Sequence, residues 1–230
     1  MIYVTADIHG CLSHLKRLLE ILNLSPDDIL YVLGDVVDRG EAPIQTLRFC
    51  MSHPNIQLIL GNHDYLALSL FREIYIEKDR PLSSSEIKRL SNYLLAGGRT
   101  TKEQFASLSP EEQTAILNYI EAAPPYADIT AGGKRFWLIH GGLGNFDKQK
   151  DLADYSLHDL ISECLDYTKQ YFDDRIIVSG HTPTSTIDAR FEGKIIQKNN
   201  HIAVDCGCFF TGTLGCICLD DFTEYYATIP

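Results

Sequence analysis

Short apolar runs separated by helix-like segments dominate the chain and predict an α/β fold. The strongest runs are rich in β-branched and aromatic residues, which favour strands. They lie at 2–6, 29–33, 56–60, 135–139 and 175–179. Shorter runs predict further strands towards the C-terminal end, at 194–197, 202–205, 213–219 and 225–229. Strands that alternate with helices are typical of sheets containing parallel strands.

Apolar residues at helical spacing predict helices between these strands. The leucines of segment 15–22 share one face of a helix that Ser13 can cap. Proline opens a second helix over 43–51, where its fixed backbone angle suits the first turn. Two further helices are predicted at 65–77 and over the amphipathic segment 156–172.

Segment 78–125 differs from the rest of the chain, because its apolar runs are shorter and its charge is higher. Serines at Ser83 and Ser109 are followed three residues later by glutamate, which is a signature of helix starts. A Pro-Pro pair ends the segment. We interpret it as a helical insertion that covers the mouth of a site, with a glycine-rich loop carrying Arg99.

Length and composition indicate one globular domain spanning residues 1–230, with 45% hydrophobic residues. A formal net charge of -11 argues against nucleic acid or an anionic membrane as a partner. It leaves a phosphate substrate open, since bound divalent metals reverse the local charge. The start of the chain lacks the basic region of a signal peptide, and no apolar run is long enough to span a membrane.

The chain has 7 cysteines, an odd number that favours reduced thiols in a cytoplasmic protein. Two Cys-x-Cys pairs lie at 206–208 and 216–218. Residues two apart share a face of a strand. We therefore expect these cysteines to be small core residues, since structural zinc sites usually space their cysteines more widely.

Polar side chains follow each of the five strongest predicted strands within a few residues. They are Asp7 and His9, Asp35, Asn62, His140, and His181. Each one alone has an ordinary explanation as a turn or loop residue. Their recurrence at strand ends, mostly beside glycine, predicts one metal site where the strands end together.

The residue types indicate the metal and how the ligands divide. Carboxylate, imidazole and amide ligands without thiolate suit Mn, Fe, Ni or Zn. We expect Asp7 and His9 to hold one ion. Asn62, His140 and His181 are expected to hold the second, with Asp35 bridging the two. Such a pair of ions is locally positive and attracts a phosphate.

Segment 33–40, Leu-Gly-Asp-Val-Val-Asp-Arg-Gly, concentrates ionisable groups at the end of a buried strand. That placement is costly unless a metal and a phosphate offset it. One hypothesis is that Arg39 binds phosphate while Asp38 orients a catalytic histidine. The alternative is a tight turn in which Arg39 pairs with a neighbouring aspartate.

Five short motifs resemble those of the calcineurin-like metallophosphoesterases, and within them the phosphoprotein phosphatase group in its small bacterial and phage form. The motifs are Asp-Ile-His-Gly at 7–10, Gly-Asp-Val-Val-Asp-Arg-Gly at 34–40, Gly-Asn-His-Asp at 61–64, His-Gly-Gly at 140–142 and Gly-His-Thr-Pro at 180–183. The resemblance implies a four-layer α/β/β/α sandwich of two mixed sheets. It also implies the same six metal ligands.

The resemblance assigns catalytic roles as well. His63 becomes the general acid, Asp38 its partner and Arg39 a phosphate ligand. A water that bridges two metals has a lowered pKa and is expected to attack phosphorus. His63 is then placed to protonate the leaving group.

Two departures from the family pattern concern the third motif and the phosphate-binding residues. Asp64 stands where the family usually has glutamate. The family's second phosphate-binding arginine is missing, since residues 143–174 contain no arginine. Arg99 is the candidate substitute, and its alternative is a solvated loop residue.

Three functions remain open from the sequence. The first is a Mn-dependent phosphomonoesterase acting on phosphoserine or phosphothreonine in proteins. The second is a hydrolase of dinucleoside polyphosphates of the Ap4A type, or of other nucleotides. The third is a metal-binding interaction module without catalysis, suggested by the missing arginine and opposed by the intact His63, Asp38 and Arg39.

Overall fold

Two five-stranded sheets carry the fold in the computed structural model, which describes residues 1–76 and 80–229. The strands of the first sheet are Ile2–Thr5 (β1), Ile29–Leu33 (β2), Ile56–Ile59 (β3), Thr213–Cys218 (β9) and Glu224–Thr228 (β10). Their order across the sheet is β10-β9-β1-β2-β3. β1, β2 and β3 are parallel, whereas β9 is antiparallel to both of its neighbours.

The second sheet is mixed in the same way. It contains Tyr126–Ala131 (β4), Lys134–Ile139 (β5), Ile176–Ser179 (β6), Ile196–Lys198 (β7) and His201–Ala203 (β8), in the order β4-β5-β6-β8-β7. β5, β6 and β8 are parallel, and the two edge strands are antiparallel to their neighbours. The predicted pair of mixed sheets is confirmed.

Helices lie between the strands. They are Leu12–Leu22 (α1), Pro43–Met51 (α2), Asn62–Phe71 (α3), Ser84–Tyr93 (α4), Arg99–Ala106 (α5), Pro110–Glu121 (α6), Leu157–Ile161 (α7), Thr184–Ile187 (α8) and Cys208–Thr211 (α9). Arg72–Ile76 and Leu94–Gly98 are π-helical, and Leu152–Asp154 and Ala189–Phe191 are 3-10 turns.

Three apolar clusters hold the layers together. Val4 and Leu33 of the first sheet pack between the sheets with Phe136 and Val178 of the second. Residues of α1, α2 and α3 cover the outer face of the first sheet. The outer face of the second sheet is covered by α7 and by loop residues that surround Trp137. This is the predicted α/β/β/α order, with a thin fourth layer.

The predicted helix over 156–172 is wrong beyond its first turns. Ser156 caps α7 as a helix start should, but the helix ends at Ile161. The chain then passes beneath Gly141 and Gly142, where a Cβ on either glycine would lie 2.7 Å from the carbonyl oxygen of Glu163. Packing against the His-Gly-Gly motif therefore replaces the helix that apolar spacing predicts.

Other local predictions need smaller corrections. Ser13 does not cap α1, because the helix begins one residue before it and Cys11 occupies the N-cap position. The helix predicted from residue 65 begins at Asn62, and its last residue, Glu77, lies outside the described residues. β4 was not predicted, because the polar Asp128 and Thr130 interrupt an edge strand that is largely solvent-facing.

The predicted insertion contributes α4, α5 and α6. Its first residues, Lys78 and Asp79, lie outside the described part of the chain. Within the described part, α5 packs on α2 and α6 packs on α3. This packing fixes the insertion against the helices of the first sheet.

Across residues 1–76 and 80–229, no helix combines the length and the apolar character that crossing a membrane requires.

Candidate active site

The carboxyl ends of the parallel strands bring together the polar side chains that the sequence singled out. Asp7 and His9 follow β1, Asp35 follows β2, and Asn62 begins α3 directly after β3. From the second sheet, His140 follows β5 and His181 follows β6. Open α/β sheets form their sites where these strand ends diverge.

Backbone strain concentrates at these positions. Four of these residues have a backbone φ in the left-handed region, which residues other than glycine usually avoid. The values are 52° at Asp7, 46° at His9, 53° at Asp35 and 65° at His181. Each such residue costs about 1 to 3 kcal/mol, and such strain clusters at functional sites. The cross-strand bond from His9 N to Asp35 O, at 2.9 Å, holds two of the strained loops together.

His9 and Asp35 form one group of potential ligand atoms together with His63. His9 Nε2 lies 3.7 Å from Asp35 Oδ2. The other ring nitrogen, Nδ1, lies 2.8 Å from the carbonyl oxygen of Val37. Donation from Nδ1–H to that carbonyl leaves Nε2 with the lone pair that a metal ion would use, and Arg39 NH1 lies 2.6 Å from it in this structure.

Asp35 also belongs to a second group, with His140 and His181, whose potential ligand atoms lie within 4.8 Å of one another. His140 Nδ1 is 2.6 Å from the carbonyl oxygen of Leu33, so its Nε2 is the free nitrogen. Asn62 Oδ1 lies between the two rings, 2.8 Å from His140 Nε2 and 3.0 Å from His181 Nδ1. The two groups share Asp35, as a bridging carboxylate requires.

The centre of the site contains three buried carboxylates, those of Asp7, Asp35 and Asp205. Their mutual repulsion indicates that the site fits a pair of cations. The pKa of Asp7 lies well above its usual range because the carboxyl group is buried and because the charges of Asp205 and Asp35 repel it. Burial raises the pKa of Asp205 to about 7, and repulsion by Asp35 adds to the effect. Positive charge relieves this repulsion, and carboxylate, imidazole and amide oxygen are suitable donors for divalent first-row ions. Asp205 is absent from the ligands predicted from the sequence.

His63 belongs to the first group and is held by Asp38. Its Nδ1 atom is 2.7 Å from Asp38 Oδ2, and its backbone N–H donates to Asp35 Oδ1 at 2.9 Å. Burial lowers the pKa of His63, but the hydrogen bond to Asp38 and the charges of Asp35 and Asp38 outweigh it, so the pKa is raised. A raised pKa suits a group that must donate a proton near neutral pH.

Two residues of the insertion complete the environment of Asp38. Tyr93 OH donates to Asp38 Oδ1 at 2.5 Å, and Thr101 Oγ1 donates to the same oxygen at 2.6 Å. Asp38 is fully buried, so these donors offset the cost of its charge. Neither residue was predicted from the sequence, because the contacts join positions about 60 residues apart.

Arg39 reaches across both imidazoles. Its NH1 atom lies 2.6 Å from His9 Nε2 and its NH2 atom 3.1 Å from His63 Nε2. The guanidinium lies 5.5 Å from the ring centroid of Phe210, and the Arg39 backbone N–H donates to Gly97 O at 3.0 Å. A planar cation at this point is placed to bind phosphate oxygens.

Asp64 supports the bridging loop rather than the chemistry. Its Oδ2 atom accepts from the backbone N–H groups of Asp35 at 2.7 Å and Gly61 at 3.3 Å. Its Oδ1 atom accepts from Val36 at 3.0 Å and Val37 at 3.3 Å. The aspartate that departs from the family pattern therefore holds Asp35 in position.

Arg99 is exposed and begins α5. Among residues 1–76 and 80–229, no hydrogen bond or ion pair joins it to a residue of the site. Its role in phosphate binding stays a prediction.

This fold, with two ligand groups sharing Asp35, defines a metallophosphoesterase. The chain belongs to the calcineurin-like phosphoesterase family, whose sequence model matches residues 1–207. It is therefore a hydrolase of phosphoesters, as the motifs predicted.

The chain is similar to a protein phosphatase and to a dinucleoside tetraphosphatase. The chain is 28% identical to serine/threonine-protein phosphatase 2 of Salmonella typhimurium over 222 residues, covering 93% of this chain and 90% of the relative. It is 32% identical to the symmetrical bis(5'-nucleosyl)-tetraphosphatase of Salmonella paratyphi C over 136 residues, covering 56% of this chain and 46% of the relative. The chain thus spans nearly the whole protein phosphatase and less than half of the tetraphosphatase.

Solved structures share the fold. A protein serine/threonine phosphatase from Saccharomyces cerevisiae superposes with a TM-score of 0.67 at 16% identity, covering 100% of this chain and 80% of that one. At this level of identity the likeness establishes the fold.

Proposed function

We propose that this chain is a two-metal phosphomonoesterase that acts on phosphoserine or phosphothreonine in proteins. The observation that carries the proposal is that two groups of potential ligand atoms share Asp35, and that one of them contains His63, which Asp38 holds. A binding module has no need of a buried, carboxylate-held histidine at that position. Near-complete coverage of a bacterial protein phosphatase supports the choice of substrate class.

The proposed ligands divide as the sequence predicted. Asp7, His9 and Asp35 would hold one ion, and Asp35, Asn62, His140 and His181 the other. When bound, the two ions would supply an activated water and neutralise charge on the phosphoryl group. We propose manganese as the metal, with iron, zinc or nickel as alternatives that the same donors accept.

The chain's own residues would handle the substrate and the proton. Arg39 would bind non-bridging phosphate oxygens with its planar fork. His63 would donate a proton from Nε2 to the leaving serine or threonine oxygen, while Asp38 holds Nδ1. Arg99 would be a weaker second contact from the insertion over 78–125.

The cellular setting is proposed on the cysteines. All seven are free, and five of them are buried. Free thiols in such number are typical of a reducing compartment. We therefore propose that the protein works in the cytoplasm, as one domain spanning 1–230.

Hydrolysis of dinucleoside polyphosphates is the second candidate. Phe209 and Phe210 are exposed, and Phe210 lies beside the Arg39 guanidinium. Exposed aromatic rings next to a phosphate-binding cation can stack on nucleobases. The partial match to a tetraphosphatase also supports this candidate.

One comparison separates these functions. Metal-loaded protein is assayed with a phosphoserine peptide, diadenosine tetraphosphate and a nucleoside monophosphate, and kcat/KM is measured for each. The proposal expects the peptide to be preferred, and a preference for the dinucleotide would establish the second candidate. Absence of turnover with Mn, Fe, Ni and Zn would overturn both candidate functions.

Four variants test the roles within this assay. Asp35→Ala and His63→Ala should each lower kcat by about 100-fold or more. Arg39→Ala should raise KM more than Arg99→Ala does, because Arg39 contacts both imidazoles. An equal effect of the two arginine variants would contradict the assignment of Arg39.

A further inference from the structure

Cys11, His14 and Cys208 form a cluster of metal-ligating side chains outside the site described above. Their potential ligand atoms all lie within 4.8 Å of one another. Cys11 precedes α1, His14 lies in its first turn, and Cys208 begins α9. Two sulfurs and one imidazole are a different donor set from the oxygen and imidazole ligands around Asp35.

From this cluster we infer a separate zinc site with Cys11, His14 and Cys208 as its three protein ligands. Zinc binds thiolate sulfur at about 2.3 Å and imidazole nitrogen at about 2.0 Å in tetrahedral geometry. Donors around such an ion lie about 3.5 to 3.8 Å apart. The three potential ligand atoms, all within 4.8 Å of one another, therefore exceed these separations by about 1.3 Å at most.

The hydrogen bonding of His14 fits a ligand. His14 Nε2 lies 3.1 Å from the carbonyl oxygen of Gly212. Donation to that carbonyl fixes the tautomer and leaves Nδ1 with its lone pair, which has a long contact of 3.5 Å with Ser13 Oγ. Cys11 Sγ lies 3.7 Å from the carbonyl oxygen of His9, a weak contact that a thiolate bound to zinc would give up.

A cavity beside the cluster gives access to a fourth ligand. It has a volume of about 530 Å³ and is lined by Cys11, His14 and Phe209, among others. A water or a small external ligand can therefore complete the tetrahedron. Three protein ligands with one open position are typical of zinc sites that exchange a ligand.

The location gives the ion a structural consequence. Cys11 and Cys208 join the start of α1 to α9, and α9 carries Phe210 against Arg39. Zinc would clamp these two segments together. The ion would sit beside the phosphate-binding arginine without sharing a ligand with the Asp35 groups.

Cobalt substitution tests this site without relying on activity. Reduced protein is freed of metal with a chelator, loaded with manganese, and titrated with Co²⁺. Sulfur ligands give a thiolate-to-cobalt charge-transfer band, and the Asp35 groups contain no sulfur. We expect the band in the unaltered chain and expect Zn²⁺ to displace it.

Variants assign the band to the cluster. Cys11→Ser and Cys208→Ala should abolish it and remove one equivalent of bound zinc per chain, while His14→Gln should weaken cobalt binding by about 10-fold or more. Cys164→Ser is the matched control, since Cys164 is exposed and outside the cluster. Circular dichroism checks that each variant folds. If Cys208→Ala does not fold, Cys11→Ser still tests the site, because Cys11 is only partly buried.

The inference is overturned if the reduced chain shows no charge-transfer band, or if the band survives in Cys11→Ser. A disulfide between Cys11 and Cys208 in air, together with no band in the reduced protein, would also overturn it and assign the pair to redox chemistry.

Discussion

Tyr93 donates a 2.5 Å hydrogen bond to Asp38, whose other carboxylate oxygen lies 2.7 Å from His63. The helical insertion therefore acts on the proposed acid through Asp38. Thr101, from the same insertion, donates to the oxygen that Tyr93 contacts. Residues of the insertion are thus part of the environment that orients His63.

Removing the Tyr93 donor should impair proton donation selectively. We expect Tyr93→Phe to lower kcat by about 10-fold for a phosphoserine peptide, whose alkoxide leaving group needs a proton. Hydrolysis of an aryl phosphate with a good leaving group should change little.

Tyr119→Phe is the control for this experiment. Within the described chain, the buried Tyr119 hydroxyl has no hydrogen-bond partner, so its removal should leave both rates unchanged. Equal loss on the two substrates in Tyr93→Phe would show that Tyr93 does not act through the acid.

Asp64 should control both stability and metal affinity. Asp64→Ala leaves four backbone N–H groups without their acceptor, which should cost about 3 kcal/mol in the free energy of unfolding. Because Asp35 is one of those residues, manganese should also bind more weakly. Urea denaturation of metal-free protein and calorimetric titration with Mn²⁺ measure the two effects.

Asp64→Asn keeps one acceptor oxygen. Its stability and its manganese affinity should therefore lie between those of Asp64→Ala and the unaltered chain. Asp27→Ala, at an exposed position, should change neither quantity. Normal manganese affinity in Asp64→Ala would mean that Asp35 holds its position without Asp64.

Gly97 should determine how Arg39 is held. Its φ is +111°, and a Cβ there would lie 2.8 Å from Arg39 Cγ. Gly97→Ala should therefore displace the guanidinium and raise KM roughly tenfold, which corresponds to about 1.4 kcal/mol of binding. Steady-state kinetics with a phosphopeptide measures the change.

Gly133→Ala separates backbone strain from this contact. Gly133 also has a positive φ, +75°, but nothing lies within 4 Å of its Cβ position. Both variants should lose about 1 kcal/mol of stability through left-handed strain. A KM increase in Gly133→Ala as well would attribute the effect to strain alone.

His201 should make stability fall in acid. Burial lowers its pKa from 6.5 to about 4, and within the described residues neither ring nitrogen has a hydrogen-bond partner. The unfolded chain therefore binds a proton on His201 before the folded chain does. Stability is fully present above pH 6.5, falls between 6.5 and about 4, and changes no further below. The loss is about 3 kcal/mol at most.

His201→Phe should flatten this part of the pH profile. The ring stacks on Tyr171 at a centroid distance of 5.1 Å, and phenylalanine keeps that packing without titrating. Urea denaturation from pH 7 to 4 in the presence of a chelator keeps metal loss out of the comparison. The same slope in both proteins would assign the acid sensitivity to other groups.

Most of the strands and the candidate ligands could be predicted from sequence. Asp35 and His140 were predictable because each follows an apolar run whose end can be located in the sequence. The carboxyl ends of parallel strands lie at one edge of a sheet, so these residues were expected to lie together. The helix over 156–172 was not, since packing of residues near Glu163 against Gly141 overrides apolar spacing.

The sequence by itself determined the class of chemistry. Carboxylates, imidazoles and an amide placed after apolar strands select divalent metals, whatever the loops between them do. Only the tertiary structure decided which residues distant in sequence lie close together. Thr101 donates a hydrogen bond to Asp38, 63 positions away, and the Cys208 sulfur lies within 4.8 Å of the Cys11 sulfur. Hydrogen bonds and metal ligation depend on separations of a few ångströms, and these are set by packing rather than by spacing along the chain.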